Sequence, residues 1–157
     1  FKEADVRAKG RTARGVRGIT LRGDDEVVAM TVVKPSGMLL TVTARGYGKR
    51  TELDEYRVTS RGGFGVKNIQ TSERNGRVTG VAYVEQDDEM MLITEQGKII
   101  RMVTGDIRPI GRSTQGVRLI EIDEDDRVVS LARLAEKDLS DKTDDDGDQP
   151  PPEGSAD

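Results

Sequence analysis

The pattern Arg-x-x-x-Gly-Val-base-x-Ile occurs three times in this chain, as RTARGVRGI (11–19), RGGFGVKNI (61–69) and RSTQGVRLI (112–120). The copies lie 50 and 51 residues apart, and each is preceded four residues earlier by another arginine, Arg7, Arg57 or Arg108. The flanks repeat too. TVTARGYGKR (41–50) aligns with LITEQGKIIR (92–101), and polar turns lead into EVVAMTVV (26–33), RVTGVAYV (77–84) and RVVSLARL (127–134). A unit of this size buries its apolar face only against its neighbours, and a period of 40 to 50 residues built from short strands points to a propeller or a related radial array. The expected organisation is the second half of a blade over 1–33, whole blades over 34–84 and 85–134, and a separate C-terminal segment over 135–157.

Each unit reads as about four short antiparallel strands, so the fold class expected is all-β. MLLTVTA (38–44) and MMLITE (90–95) are β-branched runs that end at turn glycines, Gly46 and Gly97. VRGITLR is expected to join EVVAMTVV through the turn at Gly23, Asp24 and Asp25, and the equivalent turns carry Asn75-Gly76 and Asp125-Asp126. Asn-Gly between two β runs predicts a hairpin. No segment keeps a 3.6-residue period. Aromatic residues make up only 3% of the chain and hydrophobic residues 34%, which suits many thin sheets better than one thick centre. The glycines of the repeat, Gly15, Gly65 and Gly116, are expected to allow a positive φ or a close strand crossing, because no helix follows them as a phosphate loop requires.

Charge divides the chain. Residues 135–157 hold nine acids and two bases, while residues 1–134 hold 23 bases and 20 acids. The C-terminal segment, with Pro150, Pro151 and Pro152 in a row, is too polar to offset its chain entropy and is expected to be disordered. A mildly basic body with an acidic tail is a pattern expected for a polyanion-binding protein, with the tail competing for the basic surface. Cysteine and histidine are absent, which removes disulfides, thiolate chemistry and the commonest general base, and makes a cytoplasmic setting the default expectation. No membrane-spanning run is visible. The first residue is Phe1 rather than Met, as expected for a piece of a longer chain. No catalytic constellation, metal site or cofactor motif is found, and the weak calcium-loop spacing in KTDDDGDQPPPE lacks flanking helices.

The segments YGKRTELDEY, TSERNGRV and GRSTQGVRLI, together with the 50-residue period, resemble the C-terminal domain of the DNA gyrase A family over residues 1–134. The resemblance implies a β-pinwheel of propeller-like blades whose basic rim bends and wraps duplex DNA without reading its sequence, so that the holoenzyme can introduce negative supercoils. It also implies a gyrase B partner, a heterotetramer of two A and two B subunits, and ATP and Mg²⁺ bound elsewhere in that enzyme. Two departures bear on it. The complete domain of the family has about six units, and its glycine-rich box is not present here, although SRGGFGVKN (60–68) shares an Arg-Gly-Gly-x-Gly core. The family of topoisomerase IV A subunits is a close alternative, and a propeller-type protein interaction module is the reading from a different class.

Wrapping without sequence readout needs cations spaced along a curved surface, because neutralising phosphates releases counterions whatever the bases. The recurrent bases are the candidates: Arg7, Arg57 and Arg108; Arg11, Arg61 and Arg112; Arg17, Lys67 and Arg118; and, near the hairpin turns, Lys49, Arg50, Lys98 and Arg101. Arg11, Arg61 and Arg112 fit a structural role beside the glycine turn equally well. For Arg17, Lys67 and Arg118, alternation around Val and Ile favours an outward direction.

Overall fold

A computed structural model describes residues 1–134; the expectation of a disordered tail falls on 135–157 and lies outside the described residues. The regular structure is β throughout, apart from three single 3₁₀ turns at Glu3–Asp5, Leu53–Glu55 and Thr104–Asp106, which recur at the period of the sequence repeat. Strands β1 (Met38–Thr43) and β2 (Tyr47–Glu52) form a hairpin, as do β4 (Glu89–Thr94) and β5 (Ile99–Val103). Both turn where expected. Gly46 (φ +76°) and Gly97 (φ +85°) adopt the left-handed conformation that a residue with a Cβ adopts only with strain.

Strands β3 (Val78–Val84) and β7 (Val128–Leu134) each return to pair with the first strand of their own unit, β1 and β4. The first sheet then takes its fourth strand, the two-residue β6 (Val117–Arg118), from the following unit, giving the order β3-β1-β2-β6. The second sheet, β5-β4-β7, has three strands. Successive blades are thereby tied together by backbone hydrogen bonds. The same linkage recurs outside the strands, where Thr20 N–H donates to Gly63 O at 2.8 Å and its counterpart Gln70 N–H donates to Thr114 O at 2.9 Å.

This exchange explains where strands expected from the sequence are missing. Residues 15–22, 26–33 and 65–70 form no strand. Val117 and Arg118 pair with β2 of the preceding unit, whereas 66–67 and 26–33 have no such strand to pair with among the described residues. Unpaired, that last segment leaves Val27, Val28, Met30, Val32 and Val33 exposed. The Asn-Gly hairpin is also corrected: Gly76 alone has a positive φ (+74°), and no strand precedes the turn. Asn75 is fully buried and acts as a fastener, donating from Nδ2 to Gln70 O and Gln115 O (2.8 and 3.0 Å) and accepting at Oδ1 from the Ser72 amide (2.7 Å). Its hydrogen-bonding capacity holds three loop segments together rather than a tight turn.

The core lies between the two sheets. Leu40, Val42, Val84, Met90, Leu92, Ile107, Ile120 and Val128 form one buried cluster. Strand β3 runs against β7 so closely that a Cβ on Gly80 would sit 2.1 Å from Leu131 Cδ2. Gly15, Gly65 and Gly116 all have positive φ, but only Gly116 also faces backbone, with Gly48 O 2.6 Å from where its Cβ would lie. Gly15 has nothing near. Gly15→Ala should therefore cost about 1–2 kcal/mol from left-handed strain alone, and Gly116→Ala about 1–3 kcal/mol more from the clash. Urea unfolding of the two variants measures the difference; equal losses would mean that the crossing at Gly48 yields without cost.

Candidate nucleic-acid interface

Strand β2 has no solvent face. Its first five residues are all buried, and because consecutive side chains point to opposite faces, Lys49 and Arg50 are enclosed on opposite sides of the sheet. Lys49 Nζ donates to Asn68 O, Gly111 O and Arg112 O, each at 2.7 Å, using all three donors of the ammonium. Burial, with the nearby Arg112 guanidinium adding to it, pulls this lysine down to about 8. Arg50 donates from Nε to Ile107 O at 2.7 Å and from Nη1 to Gln86 Oε1 at 3.1 Å, reaching into the next unit. Neither residue can meet a phosphate in this arrangement, which corrects the expectation that they lie on a DNA track. The repeat held a signal for this, because Lys49 aligns with Ile100, an apolar residue set against the core.

Arg61 and Arg112 resolve toward structure. Arg61 donates to Asp5 O at 2.9 Å and to Arg17 O at 3.3 Å, while Arg112 donates to Lys67 O at 3.0 Å and lies over the Tyr56 ring. Residues 17 and 67 are equivalent, so the same staple recurs between successive units. Of the remaining candidates, Arg7, Arg11, Arg17, Arg57, Lys67, Lys98, Arg101, Arg108 and Arg118 are exposed. Further exposed arginines, Arg45, Arg74 and Arg77 among them, were not singled out from the sequence because their positions do not recur as bases in every unit.

The exposed cations differ in their company. Among the described residues, every ion pair draws on a cation of the last unit: Lys98 with Asp123, Arg101 with Glu89, Arg118 with Glu121, Arg127 with Glu95 and Arg133 with Asp88. Among the described residues, no cation before residue 98 has a carboxylate within 4.0 Å. Composition follows the same division: residues 1–84 carry sixteen Lys and Arg against nine Asp and Glu, and residues 85–134 carry seven against eleven. The first unit and a half present free positive charge, and the last unit neutralises its own.

At the junction between blades one group stands apart. Tyr47, at the start of β2, lies opposite Arg118 of β6 in the strand register. Its hydroxyl accepts from Arg118 Nη2 at 3.1 Å and from Arg74 Nε at 3.3 Å, and both guanidiniums lie over its ring, 5.5 and 5.2 Å from the centroid. Hydrogen bonds from Arg118 and then Arg74 lower the pKa of the phenol below its ordinary 10.0. No group of three or more potential metal ligands occurs among the described residues, and none of their helices is long and apolar enough to cross a membrane.

Fold and surface together define a propeller-type repeat array, blades exchanging strands, with arginines and lysines left unpaired in its first unit and a half. The family model for the DNA gyrase C-terminal domain, a β-propeller, matches residues 1–34, 37–85 and 88–135, and the chain belongs to that family. It is 52% identical over 136 residues to the DNA gyrase A protein of Salmonella typhimurium, a match covering 87% of this chain and 16% of that protein. The gyrase A protein of Staphylococcus aureus (strain NCTC 8325) is 44% identical over 148 residues, covering 93% of the chain and 17% of the relative. Among solved structures, that of a DNA gyrase A C-terminal domain superposes with a TM-score of 0.79 at 30% identity, covering 85% of this chain and 45% of the other. A topoisomerase IV C-terminal domain gives the same TM-score at 27% identity, over 85% and 42% of the two chains. The chain thus spans about a sixth of the length of the curated relatives.

Proposed function

We propose that this chain binds duplex DNA through its phosphate backbone and bends it, serving in the cytoplasm as part of the C-terminal domain of a DNA gyrase A protein. In that reading the domain shapes DNA while the ATP- and Mg²⁺-dependent supercoiling chemistry belongs to other parts of an assembly of two A and two B subunits. The observation that carries it is the set of exposed arginines and lysines before residue 98 with no carboxylate of the described residues within 4.0 Å, on a fold whose relatives bear the gyrase name. Cations not engaged by acids are free to neutralise phosphates and release counterions, and that interaction is indifferent to base sequence. The acidic residues 135–157 compete for the same surface.

A gel-shift salt titration with a linear duplex and its sequence-scrambled counterpart tests this. The expected result is equal affinity for both duplexes, falling steeply with salt, and tighter binding when residues 135–157 are removed. Affinity that hardly changes between 50 and 200 mM salt, or that depends on sequence, would instead favour a partner-binding surface held by apolar contacts.

A further inference from the structure

We infer that Arg74, Tyr47 and Arg118 form a preorganised clamp for one phosphodiester group of the bound duplex, set across the junction between the middle and last blades. The inference rests on the DNA-binding reading above and adds a particular site to it. A phenol oxygen has two lone pairs and one proton. Both lone pairs of Tyr47 are engaged by the two arginines, at 3.1 and 3.3 Å, and its O–H has no acceptor among the described residues. Each guanidinium spends one N–H on the phenol and keeps further donors, Arg74 its terminal nitrogens and Arg118 its Nε and Nη1.

Only a loose contact competes for these donors: Arg118 Nη1 lies 3.6 Å from Glu121 Oε1, whose side chain is 88% exposed. Two cationic forks that meet over the buried Tyr47, itself 5% exposed, match the several acceptor oxygens of a phosphodiester, and the one described carboxylate within 4.0 Å of either fork is the loosely placed Glu121. The phenol oxygen positions both arginines, and because the planar forks are already held in place, little side-chain entropy remains to be lost on binding. The surface beside the clamp continues the charge, with Arg45 and Arg77 lining an open depression that also holds Glu73. The equivalent place in the last blade differs, since Lys98 stands where Tyr47 does and is engaged by Asp123. One clamp is therefore expected in the described chain.

The test uses the intact 157-residue chain and a linear duplex, with affinity followed across a salt series and folding followed by circular dichroism and urea unfolding. The Arg74→Gln/Arg118→Gln double variant should bind about 10-fold more weakly at 0.1 M salt, with the slope of log affinity against log salt reduced by about 1, the value for one phosphate. Tyr47→Phe keeps the ring and both charges. It should weaken binding several-fold at an unchanged slope, since only the positioning hydroxyl is lost. If Tyr47→Phe lowers stability but binds DNA like the parent, the group merely fastens β6 to β2 and the clamp is refuted. Should the double variant lose its fold, Arg74→Gln alone, on an exposed turn, must still weaken binding, and parental affinity refutes the clamp. Parental binding by all three variants overturns the clamp and leaves the DNA reading standing, whereas a parent chain that does not bind duplex overturns both.

Discussion

Replacing Lys49 by methionine should lower the free energy of unfolding by about 2–4 kcal/mol while leaving the salt dependence of DNA binding unchanged. The size follows from what is left behind. Three carbonyl oxygens, of Asn68, Gly111 and Arg112, lose their donor at once, and each buried, unsatisfied acceptor costs about 1–3 kcal/mol. Part of that is offset, because the variant no longer holds an ammonium out of water. The unchanged salt slope follows from position, since a side chain with no exposed surface neutralises no phosphate.

The pH dependence of the same pair of proteins has a definite sign. The folded-state value for Lys49 is depressed to about 8 from its ordinary 10.5. Between those values the unfolded chain holds a proton that the folded chain has released, so stability rises with pH across the window. That contribution is complete above 10.5 and is lost as pH falls through 8. Urea unfolding at several pH values should show the parent gaining on Lys49→Met from pH 8 to 10.5. A variant as stable as its parent, with a parallel pH profile, would mean that water replaces the ammonium on all three carbonyls.

Neutralising four free cations, Arg17, Arg57, Lys67 and Arg77, should weaken duplex binding by about 10²–10³-fold at 0.1 M salt and make the salt slope shallower by about 3 to 4. All four are exposed and have no carboxylate of the described residues within 4.0 Å. The matched set Lys98, Arg101, Arg127 and Arg133, changed likewise to glutamine, should shift the slope by less than about 1. These are already held by Asp123, Glu89, Glu95 and Asp88, so their charge is largely cancelled at the distance of a passing phosphate. Two sets of four with equal effect would show that DNA contacts the last blade as fully as the others, and that its ion pairs open on binding.

Much of this fold is local and was legible for that reason. Strands β1, β2, β4 and β5 are short β-branched or alternating runs bounded by glycines that must turn, and the hairpins at Gly46 and Gly97 form where the pattern places them. The 50-residue period, repeated in the 3₁₀ turns and in the positive-φ glycines, set the all-β repeat architecture from sequence alone. Arg17, Lys67 and Arg118 are exposed as expected, but not through alternation, since 15–22 and 65–70 form no strand and Val16, Ile19 and Val117 are exposed as well.

Tertiary structure decided what lies between units. Alternation states which side chains share a face of a strand but not whether that face meets water, and β2 is covered on both faces because the following unit closes over it. That covering turns Lys49 and Arg50 from surface cations into internal fasteners, and it brings Tyr47 of one unit beneath Arg118 of the next. The division between free and neutralised cations has the same origin. Arg101 and Glu89 are twelve residues apart, and Arg133 and Asp88 forty-five, so only the pairing of β4 with β5 and β7 places these charges together. Sequence determined the repeat and its strands because those depend on neighbours along the chain; which charges remain unpaired depended on neighbours in space.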